Sequence, residues 1–242
     1  MPRVGIICAG DLELEPFLPY LRDCRPSTKA MLTFYEGTVH GVDTAAVFCG
    51  VGKTNAALAA QILIDTYRAD IIINSGTAGG MDRALRIFDT VIATEAAHHD
   101  VPKGILTEFH PWMPSIFFAS DGTLLELSKK ALEHYRSDRT IFYGRMVTGE
   151  KFITDSGRDE IIAEFNPLSV DMETASIAHV CYVNAIPFIA VRTITDTAGQ
   201  SGEENFEKNC AEASSISKDI VLKILKEYKR YSAAMDPDKH KS

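Results

Sequence analysis

Two short apolar runs in the C-terminal half of the chain each end in a carboxylate, and this pattern limits the fold more than any other. The first run ends at Asp171-Met172-Glu173, and apolar residues then recur at helical spacing over 175–181. The second run, Pro187 to Thr195, predicts a buried strand that ends at Asp196. Because ligands of open α/β sheets bind beyond the carboxyl ends of the strands, we expect Glu173 and Asp196 at one sheet edge. These residues alone leave open the alternative that both are solvated anions at helix starts.

A third carboxylate follows the first strand of the chain. The continuous apolar run Arg3 to Ala9 is typical of a strand buried on both faces. It ends at Gly10-Asp11-Leu12-Glu13, and we expect a helix from there to about Asp23, with Pro16 in its first turn. Glu13 is therefore predicted to lie just beyond the end of a buried strand, as the other two carboxylates do.

Strands and helices alternate along the rest of the chain, which predicts one α/β domain with helices on both faces of a sheet. The turn His40-Gly41 joins two neighbouring strands as a hairpin, so the sheet is expected to be mixed. The domain is expected to span 1–232, with a disordered polar tail over 233–242. The remaining predicted strands are 31–39, 43–49, 70–74, 89–97 and 140–147, and the remaining predicted helices are 55–67, 124–135, 158–165 and 207–231.

Composition restricts the class of protein. A net charge of −8 argues against nucleic acid or an anionic membrane as a partner. Five cysteines without a CxxC pair favour buried free thiols over disulfides or a metal site. No apolar run reaches the roughly 18 residues of a membrane span. We expect a cytoplasmic enzyme or binding protein.

Two motifs suggest ligands that the spacing does not support. The turn Gly50-Val51-Gly52-Lys53-Thr54 resembles a phosphate loop, but Val47 stands where that motif requires a glycine. The segment His98-His99-Asp100 suggests a metal, yet adjacent side chains on extended backbone point to opposite faces, and no further ligand follows at suitable spacing. We therefore predict a structural turn at the first motif and no metal at the second.

Four other features are candidates for contact with a ligand or with a second subunit. The small residues 75–80, which include Thr77, follow a strand and allow backbone N–H groups and a hydroxyl to approach a ligand. Phe152 lies near a strand end, where a role in the core is equally open. The polar loop 197–205 is placed to close over a site. The apolar loop 101–119, with Phe109, Trp112 and Met113, is expected to meet another subunit.

Together these segments resemble the 5′-methylthioadenosine/S-adenosylhomocysteine nucleosidases of the purine nucleoside phosphorylase-like superfamily. The resemblance covers nearly the whole chain and is most specific at 170–181, 191–196 and 74–80. It implies a three-layer α/β/α sandwich around a mixed, partly barrel-like sheet. It also implies hydrolysis of the N-glycosidic bond of these two nucleosides to adenine and a 5-thioribose product. The implied assembly is a homodimer, and no metal or organic cofactor is required.

The resemblance assigns the catalytic roles to two carboxylates. Asp196 would donate a proton to the purine N7. Glu13 would hold and deprotonate the attacking water, assisted by Arg192 and the hydroxyl of Thr77, which stands where serine is more usual. Glu15 is a rival for the water-binding role, although the spacing from the first strand favours Glu13.

The resemblance assigns five more residues to the substrate, a 5′-substituted adenosine. Glu173 would accept hydrogen bonds from the ribose hydroxyls, and Met172 would pack beneath the sugar. Phe152 would stack on the adenine, whose edge the backbone of Ile153 would read. Phe206 would line the pocket for the 5′ substituent.

Three alternatives remain at this point. A phosphorylase of the same superfamily would use phosphate in place of water, but Asn74 stands where those enzymes carry an arginine before the glycine-rich turn. Aminodeoxyfutalosine offers adenine and ribose to the same residues, so the sequence does not separate it from the thio-nucleosides. A non-catalytic binding protein would be expected to have lost one of the three carboxylates, and all three are present.

Overall fold

Buried apolar strands form the centre of the fold. The computed structural model describes residues 2–109, 113–135, 137–154, 156–198 and 202–235. Its strands are β1 Val4–Cys8, β2 Arg22–Lys29, β3 Leu32–Val39, β4 Val42–Phe48, β5 Ile71–Gly80, β6 Thr90–His98, β7 Phe117–Ala119, β8 Ile141–Thr148, β9 Ser169–Asp171 and β10 Phe188–Asp196. Its α-helices are α1 Asp11–Leu14, α2 Lys53–Asp65, α3 Lys103–Thr107, α4 Gly122–Leu132, α5 Arg158–Phe165, α6 Thr174–Val183 and α7 Glu203–Met235.

The strands form one mixed sheet that closes partly into a barrel. The strand order is β10-β6-β8-β9-β5-β1-β4-β3-β2, and β10 pairs with β5 as well as with β6. Five strands therefore form a closed ring, while β1, β4, β3 and β2 extend from it. Strands β1, β5 and β10 run parallel, whereas β10 and β6 are antiparallel. The expected mixed, partly barrel-like sheet is confirmed.

Alternate residues of the strands pack on opposite faces of the sheet. In β1, Ile7 belongs to the core that includes Ala59 and Leu63 of α2. Its neighbour Ile6 belongs to the core that includes Ile224 of α7. Because side chains alternate along a strand, each face needs its own helical layer. This arrangement confirms the α/β/α sandwich.

The predicted helix from Gly10 to about Asp23 is wrong. Only α1 is α-helical, a 3-10 helix follows over Glu15–Tyr20, and the chain then enters β2. Pro19 lies inside the 3-10 segment. Proline has no N–H to donate and clashes with the preceding turn, so an α-helix cannot continue there.

The predicted end of the strand 70–74 at Asn74 is also wrong. Strand β5 continues through the small residues to Gly80, because β10 pairs with it on one side over Phe188–Asp196 and β9 pairs at its far end. Small residues have low strand propensity, but hydrogen bonds on both sides hold them extended.

The remaining differences lie in predicted loops and at the ends of segments. The loop 101–119 contains α3 and β7, and Met113 is buried, whereas Trp112 lies outside the described residues. Helix α7 begins at Glu203, so the last three residues of the predicted loop 197–205 are helical, while 199–201 lie outside the described residues. It ends at Met235, and residues 236–242 of the predicted tail lie outside the described part of the chain. No helix within the described ranges has the length and apolar character needed to cross a membrane.

Candidate active site

One cavity of about 350 Å³ lies where the carboxyl ends of several strands meet. Its walls come from the segments that follow β1 and β8 and from the ends of β5, β9 and β10. Every site residue predicted from the sequence contributes to its lining: Glu13, Thr77, Phe152, Ile153, Met172, Glu173, Arg192, Asp196 and Phe206. The cavity therefore brings together residues that are up to 193 positions apart in the chain, Glu13 and Phe206 of α7 (206 − 13).

Glu13 is buried and held by four hydrogen bonds. Its Oε1 accepts from the backbone N of Thr77 at 2.7 Å and from the Thr77 hydroxyl at 2.9 Å. Its Oε2 accepts from the backbone N atoms of Ala9 at 2.6 Å and Gly10 at 3.3 Å. A Cβ atom added at Gly76 would overlap this carboxylate. Glycine at that position is therefore required for the close approach of Glu13 to β5.

Arg192 connects the carboxylates of the cavity. It is 1% exposed, and its guanidinium lies 3.2 Å from Asp171, 3.2 Å from Glu173 and 3.7 Å from Glu13. It also donates to the Thr77 carbonyl at 3.0 Å. Burial alone lowers the pKa of Arg192, but the three neighbouring carboxylates reverse this effect and raise it overall. The guanidinium is therefore a permanent cation whose charge is already compensated.

Glu173 ends the turn after β9 and begins α6. Its Oε1 accepts from the backbone N of Gly52 at 2.9 Å, and its Oε2 faces Arg192. Burial raises the pKa of Glu173 to about 7, and Arg192 opposes this shift. The turn 50–54, predicted as structural only, thus contributes a hydrogen-bond donor to a carboxylate of the cavity.

Asp171 also lines the cavity, although no role was predicted for it from the sequence. Its carboxylate accepts from the Thr148 hydroxyl at 2.5 Å, from the backbone N of Thr174 at 3.1 Å and from the Thr174 hydroxyl. The backbone N of Glu173 also donates to it at 3.2 Å, so four donors and Arg192 satisfy this carboxylate, which fixes the start of α6. Its position two residues before Glu173 was the signal available in the sequence.

Asp196 lies at the end of β10 with one oxygen uncommitted. Oδ1 accepts from the Thr195 hydroxyl at 3.0 Å, whereas Oδ2 has no hydrogen-bond partner among the described residues. Burial raises the pKa of Asp196, while the Thr195 hydroxyl and the charge of Arg158 oppose the rise. A carboxyl group in such a place is suited to donate a proton. Arg158 itself, which lies 3.9 Å away, was missed by the sequence reasoning.

Aromatic and apolar side chains form the other part of the cavity. Phe152 and Phe206 meet edge to face, with ring centroids 6.2 Å apart. Ile153 and Met172 complete the apolar wall. The cavity therefore combines a flat apolar surface with a cluster of carboxylates, which suits a ligand with a planar base and a hydroxylated sugar.

The segment His98-His99-Asp100 has other contacts. The His98 ring lies 6.2 Å from Phe118 and 6.1 Å from His179, and burial lowers the pKa of His98 to about 4. The Asp100 carboxylate forms an ion pair with Lys53 at 2.8 Å. These side chains therefore take part in packing and ion pairing.

Comparisons with known proteins agree with this geometry. The family model of the phosphorylase superfamily matches residues 3–226. A 5′-methylthioadenosine/S-adenosylhomocysteine nucleosidase of an Exiguobacterium strain is 34% identical over 232 residues, which cover 93% of this chain and 97% of that protein.

Two solved structures of nucleosidases with the same name are also similar. The Neisseria meningitidis protein, in complex with methylthio-immucillin-A, has a TM-score of 0.86 and 31% identity, covering 93% of this chain and 99% of that chain. The Colwellia psychrerythraea protein, in complex with adenine, has a TM-score of 0.87 and 31% identity, covering 93% of this chain and 95% of that chain. The chain described here belongs to the 5′-methylthioadenosine/S-adenosylhomocysteine nucleosidase family of the phosphorylase superfamily.

Proposed function

We propose that this protein hydrolyses the N-glycosidic bond of 5′-methylthioadenosine and S-adenosylhomocysteine, releasing adenine and the 5-thioribose product. The observation that carries the proposal is the separation of carboxylates within one cavity. Glu13 and Glu173 lie beside Arg192, whereas Asp196 lies apart from that cation with an uncommitted oxygen. Groups in such different environments are suited to opposite proton-transfer roles.

Asp196 is the proposed general acid. Adenine is a poor leaving group as an anion, and a proton on N7 makes it neutral. The electron pair of the C1′–N9 bond passes to adenine as Asp196 gives its proton to N7. Burial raises the pKa of this carboxyl group, which keeps the proton available closer to neutral pH.

Glu13 is the proposed base for water. Water adds to C1′ through its oxygen, and one of its protons passes to Glu13. The enzyme is restored when Glu13 releases that proton to solvent and Asp196 takes one up, so the net reaction adds one water across the C1′–N9 bond. The Thr77 hydroxyl and backbone N hold one Glu13 oxygen, and Arg192 lies 3.7 Å from it. This fixed carboxylate is oriented before the reaction begins.

The rest of the cavity is assigned to substrate binding. Glu173 accepts from the ribose hydroxyls and binds them more strongly as the sugar gains oxocarbenium character, which favours the transition state. Met172 packs beneath the sugar, and Phe152 stacks on adenine beside the backbone of Ile153. Phe206 faces the 5′ substituent.

The electrostatics of the cavity favour water over phosphate. Arg192 is surrounded by three carboxylates, and Asn74 uses its Oδ1 to accept from Arg192 and its amide to donate to the Ile7 carbonyl. Of the described lining residues, Lys151 is the other cation, and it is exposed. A phosphate dianion requires several uncompensated donors, whereas water requires none.

The experiment is release of adenine from methylthioadenosine, followed by ultraviolet absorbance, with and without phosphate. We expect the same rate in phosphate-free buffer. Release that requires phosphate and yields a ribose 1-phosphate would establish a phosphorylase instead. The same assay with S-adenosylhomocysteine and aminodeoxyfutalosine ranks the 5′ substituents, and a strong preference for aminodeoxyfutalosine would contradict the proposed substrate.

A homodimer is the proposed assembly. Apolar side chains are exposed near the cavity opening or on α3 and the segment after it: Leu12 at 48%, Val51 at 58%, Ile105 at 49% and Phe109 at 61%. A second copy that covered them would remove this apolar surface from water. Light scattering at micromolar concentration is expected to give twice the chain mass, and a monomeric mass would refute the proposal.

The cytoplasm is the proposed location. All five cysteines are free, and four of them are buried. Free thiols persist in reducing compartments. Detection of the native protein in a periplasmic or culture-medium fraction, with the cytoplasmic fraction empty, would contradict this location.

A further inference from the structure

Arg158 is a buried cation that the proposed reaction does not use directly. It is the first residue of α5 and only 3% exposed. Its Nη1 donates to the Gly80 carbonyl and lies 3.4 Å from the Met81 sulfur. Its Nε and Nη2 have no hydrogen-bond partner among the described residues. Burial of an uncompensated guanidinium is costly, so this group requires a nearby anion.

The nearest anion is Asp196. Nη2 of Arg158 lies 3.9 Å from Oδ2 of Asp196, and that oxygen also has no hydrogen-bond partner in the described part of the chain. Asp196 lines the cavity, whereas Arg158 does not. The guanidinium therefore approaches Asp196 from outside the lining of the cavity.

Among the residues that the structure describes, no other charge faces Asp196 as directly. Strand β5 presents the uncharged residues Gly79 and Gly80, where an added Cβ atom would lie 3.1 Å and 3.2 Å from its nearest neighbour. Helix α7 presents Asn209, which donates to the Thr195 carbonyl, and the neutral thiol of Cys210. Lys151 lines the same cavity but is exposed. Arg158 is therefore the buried charge with the largest influence on this carboxyl group among the described residues.

We propose that Arg158 is a positioning residue for Asp196, holding its carboxylate from behind and stabilising the anion that forms when the proton passes to adenine. This inference rests on the proposed role of Asp196 as general acid. An anion stabilised in this way makes its conjugate acid a stronger proton donor. Arg158 therefore acts on the leaving-group step through Asp196 and makes no contact with the substrate.

The test compares neutral and charged replacements of Arg158. Arg158→Gln removes the charge and retains a donor for the Gly80 carbonyl, and Arg158→Met is the second neutral variant if the first does not fold. Arg158→Lys retains the charge. Single-turnover release of adenine is measured against pH, because this rate reports proton transfer in the bound complex.

We expect the alkaline limb of the profile to move upward by about one pH unit in a neutral variant, since a cation about 4 Å away lowers a carboxyl pKa by roughly this amount or more. The rate on the plateau is expected to fall, while KM changes little. Arg158→Lys should keep the limb near its wild-type position. The proposal would be overturned if the alkaline limb of the pH–rate profile did not move in a folded neutral variant. It would also be overturned if the limb moved by the same amount in Arg158→Lys as in the neutral variant.

Two controls separate this inference from the proposed function. Wild type must release adenine, and Asp196→Asn must lose that activity while still binding the nucleoside. Failure of either control refutes the assigned reaction or the assigned acid, and the role of Arg158 falls with it. If both controls hold, a result against the proposal in the Arg158 variants refutes the role of Arg158 alone. If both hold and Arg158→Gln only lowers the melting temperature, Arg158 is structural and the inference is wrong.

Discussion

Thr77 binds one oxygen of Glu13 twice, through its backbone N at 2.7 Å and its hydroxyl at 2.9 Å. The two residues are 64 positions apart in the chain. The contact joins the turn after β1 to the glycine-rich end of β5. It fixes the carboxylate before any ligand arrives.

The hydrogen bond from the Thr77 hydroxyl can be tested without removing the hydrogen bond from the Thr77 backbone N. Thr77→Ser keeps the hydroxyl and should retain near-wild-type kcat/KM for adenine release. Thr77→Val keeps the shape and loses the donor, and a hydrogen bond to a charged group contributes about 1.5–3 kcal/mol. We expect a loss of roughly 10- to 100-fold, which steady-state kinetics would measure. Equal activity in the two variants would show that the hydroxyl has no role.

A substitution at Gly76 tests whether the close approach of Glu13 to β5 is needed for activity. Gly76→Ala places a Cβ against the Glu13 carboxylate, so the carboxylate must move away from Thr77. Adenine release should fall more than 10-fold, as expected when a reacting group is misplaced. Gly122→Ala is the matched control, because a Cβ added there meets nothing within 4 Å. Wild-type activity in Gly76→Ala would show that the carboxylate tolerates displacement.

The choice between Glu13 and Glu15 is decided by two amide substitutions. Glu13 is buried in the cavity wall, whereas Glu15 is exposed at the start of the 3-10 helix. We expect Glu13→Gln to slow adenine release by about 10²- to 10⁴-fold, the usual contribution of a general base. Glu15→Gln should remain near wild type. The reverse result would transfer the assignment to Glu15.

Because the pKa of Glu173 is raised in the folded protein, we expect the free energy of unfolding to depend on pH. Burial raises its pKa from 4.5 to about 7, so between these values the folded protein holds a proton that the unfolded chain has released. The contribution of this group to the free energy of unfolding is therefore complete below pH about 4.5 and is lost as the pH rises towards 7. The slope approaches about 1.4 kcal/mol per pH unit.

Urea unfolding of wild type and Glu173→Gln at several pH values isolates this effect. The difference in unfolding free energy, wild type minus variant, should fall as the pH rises from 5 to 7. Glu133→Gln, at an exposed position after α4, should give a difference independent of pH. A difference that rises with pH for Glu173→Gln would show that Arg192 dominates and that Glu173 is ionised throughout.

Predictions from the sequence were wrong mainly where contacts with distant segments determine the local structure. Pro19 is a local feature of the sequence that predicts an earlier end of the first helix, because proline interrupts the α-helical hydrogen bonds. The extension of β5 through residues 75–80 left no local signal, because the pairing partners lie in β9 and β10. Arg158 also gave no signal, since an arginine that opens a helix is normally solvated.

The sequence by itself determined which residues stand at strand ends. Continuous apolar runs before Glu13 and Asp196 specified buried strands with carboxylates at one sheet edge, because parallel strands share that edge. Glu173 follows β9, which runs antiparallel to β5, so closure of the sheet brings it to the same cavity. Only the tertiary structure decided how these groups differ. Closure of the sheet places Arg192 between Glu13 and Glu173 and places Arg158 behind Asp196. Protonation depends on burial and on the distances between charges, and those quantities exist only once the chain has folded.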